Sequence, residues 1–154
     1  MENEIIGSIR GCLFDPRDPE STLPSFEIFK NEIDREIGLN DKIFESCRFV
    51  TRPGFKKAFH TNLALIKTNC ILSYATDCRH SITAVREKHI SFYEKMGFNK
   101  CSDLKIYPGL KTQMILMIAR ESKLGMEQFE TSFRTLYHTE VDRQNYLQWL
   151  ERMQ

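Results

Sequence analysis

In KIFESCRFV, residues 42 to 50, the charged side chains of Glu45 and Arg48 interrupt a β-rich and otherwise largely apolar run. That composition suits a buried central strand, and charges placed there need a reason. A half-buried carboxylate can orient or deprotonate an attacking amine, directly or through water. A guanidinium can bind a substrate carboxylate or steady the glutamate. At a spacing of three the two residues fall on opposite faces of a regular strand, so a shared site needs a bulge or a bend. The plainer alternative is an ion pair within the sheet layer. A third residue stands apart from these two, Tyr93 in ISFYEKMGFN. A phenol keeps its proton at neutral pH and can donate it to a reacting group; the alternative is a core aromatic whose hydroxyl merely finds a partner.

The elements that must position these residues follow from periodicity. Residues 3 to 14 read as a strand ending at Asp15-Pro16. Phe26, Phe29, Ile33 and Ile37 recur on one face of a helix over 25 to 37, with Pro24 suited to its start and Gly38 to its end. After the strand at 42 to 50, Thr51-Arg52-Pro53-Gly54 breaks the chain, and Phe55, Phe59, Leu63 and Ile66 share a helical face. CILSYA, residues 70 to 75, reads as a second inner strand. Asp77 or Ser81 is expected to cap a helix carrying Ile82, Val85, His89, Phe92 and Met96, closed by Gly97 and Phe98. Residues 103 to 107 and 112 to 119 are expected to form an antiparallel hairpin around Pro108-Gly109. The tail from Lys123 has helical spacing. This order predicts an α/β fold, a mixed sheet flanked by helices, with one domain over residues 1–120 and a C-terminal helical extension over 121–154.

A chain of 154 residues with 41% hydrophobic and 28% charged residues suits a globular domain, and a formal net charge of +1 offers no footprint for nucleic acid or an anionic membrane. The N-terminus lacks the pattern of a signal peptide and no apolar run is long enough to span a bilayer, so the expected location is cytoplasmic. Five cysteines, mostly in apolar segments, suit reduced packing thiols. Cys78, His80 and His89 lack a paired ligand set at zinc spacing, so no metal is expected.

The central strand with its charges, the following turn and helix, and a helix ending in FYEKMGF resemble the Gcn5-related N-acyltransferases. Within that superfamily, Gly7-Ser8-Ile9-Arg10 followed by Glu45-Ser46-Cys47-Arg48-Phe49-Val50 is similar to the acyl-homoserine-lactone autoinducer synthases and the long-chain N-acyl amino acid synthases, with Cys47 in place of a serine. The resemblance spans roughly residues 5 to 119. It implies an acyl transfer from an acyl-carrier protein or acyl-CoA to a small amine acceptor such as an amino acid or a homoserine-type substrate, with no permanently bound cofactor. By resemblance, Glu45 and Tyr93 are catalytic, Tyr93 lying beside the thioester sulfur, and Arg10, Arg48 and Phe49 bind substrate. Val50 belongs to the donor side, where a bulged strand offers a backbone N–H to the thioester oxygen.

The phosphate-binding turn departs from the superfamily pattern. Gly54-Phe55-Lys56-Lys57 has no second glycine, so Lys56 and Lys57 are expected to meet a single phosphate of the donor, the alternative being a solvated helix start. Arg10 has a comparable alternative as a solvated strand end. The first strand and helices of the superfamily precede the strand at Ile5, so the chain reads as N-terminally shortened. That leaves two further functions open, a generic acetyl-CoA-dependent N-acetyltransferase and a non-catalytic acyltransferase-like binding module. An exposed sheet edge or the C-terminal helices are candidate homodimer contacts. The resemblance also implies a splayed cleft between the Glu45 strand and the one at Cys70, with Tyr93 at its mouth.

Overall fold

The computed structural model describes residues 4–55 and 58–120 together with residues 144, 145, 148 and 152; Lys56, Lys57 and nearly all of the expected C-terminal extension lie outside the described residues. In chain order the elements are β1 (Gly7–Phe14), α1 (Phe26–Ile37), β2 (Ile43–Thr51), α2 (Ala58–Ala75), β3 (His80–Val85), a 3-10 turn (Glu87–His89), α3 (Ile90–Glu94), β4 (Asn99–Lys100), β5 (Lys105–Ile106) and β6 (Gln113–Arg120). They form a mixed sheet of order β1-β2-β3-β6-β4, with β5 paired to β6. β2 and β3 run parallel, and α2 supplies the crossover that a parallel pair requires. The remaining pairs are antiparallel.

Two helical layers cover the sheet. On one face, Phe29 and Ile33 of α1 are fully buried against Phe14, Ile43, Ile82, Leu116 and Ile118. On the other, Ile66 of α2 and Met96 pack with Phe49, Phe92, Tyr93 and Phe98, while Val85, Ile115 and Met117 complete that layer. Alternate residues of β6 serve both layers, which is why Ile115 to Ala119 are buried without a break. Ile115, Leu116, Met117 and Ile118 each contribute about 1.5–3 kcal/mol on burial, so β6 is the main anchor between the layers. Gly11 of β1 allows close approach on the α2 side, where a Cβ would stand 2.5 Å from Cζ of Phe44.

Two sequence expectations are corrected. Residues 70 to 75 are the last turns of α2, not an inner strand. The 18-residue helix is apolar nearly all round, so its C-terminal half shows no stripe and resembles a buried strand. Conversely, residues 80 to 85 are β3 and the helix after them is short: Ile82 and Val85 fit a three-residue spacing but belong to opposite core layers. Neither Asp77 nor Ser81 caps a helix. Asp77 turns the chain at φ 54°, and the Ser81 hydroxyl hydrogen-bonds the Ser73 hydroxyl at 2.9 Å, tying β3 to α2. The helix stop at Gly97 is present at φ 79°, with the Phe98 N–H donating to the Tyr93 carbonyl at 3.1 Å. The hairpin of β5 and β6 is present too, with Gly109 at φ 74°.

Candidate functional site

The parallel pair β2 and β3 is short. It runs from Ile43 opposite His80 to Glu45 opposite Ile82 and then ends, although both strands continue. Just beyond, the Thr83 hydroxyl donates to the Ser46 carbonyl at 2.9 Å, a side-chain latch where the backbone ladder stops. The strands therefore part directly after Glu45. Residues 70 to 75 are helical, so β3 and not that segment is the strand beside β2 at which the expected cleft would have its second wall.

β2 also carries a bulge, the feature that a site shared by Glu45 and Arg48 would need. Ser8 of β1 pairs with Val50 but Arg10 pairs with Cys47, so one β1 residue faces two on β2. Arg48 takes the left-handed conformation at φ 52°, uncommon for a residue with a Cβ. The extra residue reverses the alternation. Ile43 joins the α1 layer and Glu45 meets the start of α1, whereas Phe49, which a regular strand would add to that same face, packs with Ile66, Met96 and Tyr93 on the other.

Glu45 is 1% exposed. One carboxylate oxygen accepts the Ser25 backbone N–H at 3.0 Å and the other accepts the Ser25 hydroxyl at 2.8 Å. Burial raises its pKa above the ordinary carboxylate value, and the two Ser25 bonds and then the charge of Arg10 pull against that rise. Glu45 thus sits at the positive end of α1, with neither ion-pair geometry to Arg48 nor direct exposure among the described contacts.

Tyr93 occupies the other side of the sheet. Its ring makes edge-to-face contacts with Phe92 and Phe98 at centroid distances of 5.4 and 5.5 Å. Burial raises its pKa, a hydrogen bond with the Thr83 side chain opposes the rise, and the nearby Cys70 thiol adds to it. A phenol so placed keeps its proton at neutral pH and remains a donor. Because Thr83 also bonds the Ser46 carbonyl, the Tyr93 hydroxyl lies at the point where β2 leaves β3.

The remaining sequence-derived residues divide between the two sides. Arg10 is exposed, pairs with Cys47 across β1 and β2, and lines an open groove of about 740 Å³ with Cys12, Pro24, Phe26, Glu27 and Lys30. Arg48 is exposed at the bulge. Phe49 lies with Tyr93, apart from Arg10, and Val50 is 59% exposed beyond the bulge. Cys47 and Cys12 have their Sγ atoms 4.0 Å apart, and burial first, then the neighbouring Cys12 and Glu45, push the Cys47 thiol up to about 12. A thiol in that state is a poor nucleophile. Among the described residues no group of three His, Cys, Asp or Glu is arranged to hold a metal ion, and no helix is long and apolar enough to cross a membrane.

Sequence reasoning missed Ser25, Thr83 and Tyr107. Ser25 has a helix-start residue type, but its bond to Glu45 joins positions 20 residues apart. Thr83 lies in a stretch whose spacing predicts a helix, whereas it is part of β3. Tyr107 follows β5 and its hydroxyl donates to the Pro24 carbonyl at 2.8 Å, a contact over 83 residues that no local pattern signals.

Comparison with known proteins places this geometry. The family described as N-acyl amino acid synthase FeeM matches residues 1–120. Curated protein sequences give no significant match. Among solved structures, FeeM, an N-acyl amino acid synthase from uncultured soil microbes, is similar at TM-score 0.68 and 18% identity, over 81% of this chain and 65% of that one. BjaI, a CoA-dependent acyl-homoserine lactone synthase solved with SAM and isopentyl-CoA, gives TM-score 0.56 at 10% identity, over 84% of this chain and 59% of its own. The acyl-homoserine lactone synthase LasI gives 0.55 at 14%, over 80% and 64%. At such identities the likeness is one of fold, and the chain spans less than two thirds of the length of each.

Proposed function

Because the chain belongs to the family of the N-acyl amino acid synthase FeeM, we propose that it transfers an acyl group from a thioester to the amino group of a small acceptor of the amino acid or homoserine type. The observation that carries this reading is the parting of β2 from β3 immediately after Glu45, with a buried carboxylate on one face of the sheet and the Tyr93 phenol on the other. A thioester carbonyl placed in that opening is reached from the α1 side by an amine and from the α3 side by a proton donor.

In this reaction an acceptor ammonium loses a proton to Glu45, directly or through water, and the free amine attacks the thioester carbon. The carbonyl oxygen becomes an oxyanion, and backbone N–H groups of the bulge around Arg48, Phe49 and Val50 are suited to receive it. The C–S bond then breaks, the thiolate takes a proton from Tyr93, and the amide nitrogen's second proton restores the phenol. The products are an amide, a thiol and one proton. Arg10 and Arg48 hold the acceptor carboxylate. Phe49, Phe92, Met96 and Ile66 make the α2 and α3 side of the sheet apolar, the side on which this reading places a fatty acyl chain. BjaI is solved with an acyl-CoA; for this chain the donor is acyl-CoA or an acylated carrier protein, whose phosphate meets Lys56 and Lys57.

The test is turnover of acyl-CoA thioesters from acetyl to hexadecanoyl with a mixture of amino acids, amide products being read by mass spectrometry. N-acyl amino acids from the longer donors are expected. Tyr93→Phe is expected to lower kcat by about 10²-fold or more, the scale of one general acid, and Glu45→Gln comparably. Full activity in both variants would overturn the assigned roles. Turnover of acetyl-CoA alone would overturn the long-chain reading, and no product from any thioester, carrier-bound donors included, would favour a binding module.

A further inference from the structure

The short segment around β5 reaches across to α1 at two points. The Lys105 ammonium pairs with Glu32, donates to the Ile28 carbonyl at 3.2 Å and lies 5.4 Å from the centre of the Phe29 ring. Two residues on, and so on the same side of an extended chain, the Tyr107 hydroxyl donates to the Pro24 carbonyl at 2.8 Å. Pro24 immediately precedes Ser25, and Ser25 holds both oxygens of Glu45. An unbroken chain of contacts therefore runs from Tyr107 through Pro24 and Ser25 to Glu45.

Burial first, and then the neighbouring Glu45, Glu27 and Cys47, push the Tyr107 phenol up to about 12, with Arg48 acting in the opposite direction. The oxygen is thus locked as a neutral donor over the accessible pH range. Among the described residues, the ionisable groups beside Glu45 include Arg10 and, directly opposite it, Cys12 from β1, Cys47 on β2 itself and Tyr107 beyond β5.

We infer that Tyr107 is a positioning residue for the acceptor side: by fixing the turn that begins α1, it holds the Ser25 N–H and hydroxyl on Glu45 and so sets that carboxylate's direction and basicity. The inference rests on the reading of Glu45 as proton acceptor, and it adds a control on that group from a part of the chain more than 60 residues away.

Tyr107→Phe removes the hydroxyl and keeps the ring. The direct reading is the Glu45 carboxyl titration, followed by carbon NMR in the full chain. Loosened Ser25 bonds lower the pKa less, so the Glu45 titration is expected to move upward in Tyr107→Phe and in Ser25→Ala, and the double variant to show little beyond Ser25→Ala alone. In turnover assays with the acyl-CoA and amino acids above, acceptor kcat/KM is expected to fall about tenfold, the scale of one hydrogen bond. Its acid limb should move with the NMR titration, and the KM for the acyl-CoA should stay as in the parent chain. An unmoved Glu45 titration, additive shifts in the double variant, or an equal loss of acyl-CoA affinity would overturn the inference. The failure of the underlying reading looks different: Glu45→Gln would then be fully active while the NMR shifts still appeared.

Discussion

At Glu45, burial and the bonds from Ser25 act in opposite directions, and burial wins. A carboxyl whose folded pKa lies above its unfolded value of 4.5 contributes stability that is fully present below 4.5 and is lost as pH rises through the folded value. Gln cannot ionise. The difference in urea midpoint between Glu45→Gln and the parent chain should therefore shift in the variant's favour as pH is raised from about 4 to about 7. A difference that stays constant across this window would show that ionised Glu45 carries no burial penalty. Gly11 makes an independent demand at the same scale, this one steric. A Cβ there meets Phe44 Cζ at 2.5 Å and Cε2 at 3.1 Å, and Phe44 is only 4% exposed. Gly11→Ala is expected to cost about 1–3 kcal/mol, the range for overpacking, seen as a lower thermal midpoint. An unchanged midpoint would mean that the ring swings aside freely.

Among the elements, β2 decides the site because its bulge exchanges faces partway along the strand. Deleting Arg48 would restore regular alternation and turn Phe49 from the Tyr93 cluster toward α1. Loss of that packing is expected to cost about 3–5 kcal/mol, as for a buried Phe replaced by Ala, and to abolish turnover. Arg48→Gly should keep the fold, since glycine accepts φ 52° without the penalty of about 1–2 kcal/mol carried by a Cβ; equal losses in denaturant for the two changes would refute the bulge as the important feature. The spacing of Glu45 and Arg48 called for a bulge or a bend only if the two share a site, because strand alternation is a strict period of two; the bulge itself is present. The identity of the partner strand was not legible. Residues 70 to 75 and 80 to 85 are both short apolar runs, and only tertiary context separates the end of an all-round apolar helix from a strand. The Gly97 stop and the Pro108-Gly109 hairpin were legible because both depend on local backbone chemistry. Ser25 and Tyr107 were not, since their roles exist only through partners 20 and 83 residues distant.

Across the whole molecule, the sheet acts as a partition between two faces. Arg10, Glu45 and Cys47 share the α1 side, and Phe49, Tyr93 and Met96 share the α2 and α3 side. If the donor binds on the second side and the acceptor on the first, substitutions on each face should perturb one substrate only. Phe49→Leu, which keeps most of the packing that truncation to Ala would lose, is expected to raise the KM for a long-chain acyl-CoA about threefold, a loss of roughly 0.7 kcal/mol of apolar contact, with acceptor KM unchanged. Arg10→Met keeps the apolar stem and removes the charge, so it should raise acceptor KM and leave the donor KM alone. Steady-state kinetics with each substrate varied in turn separates these outcomes. Parallel changes in both KM values for either variant would mean that the two substrates share a face, and the opening between β2 and β3 would then have no part in bringing them together.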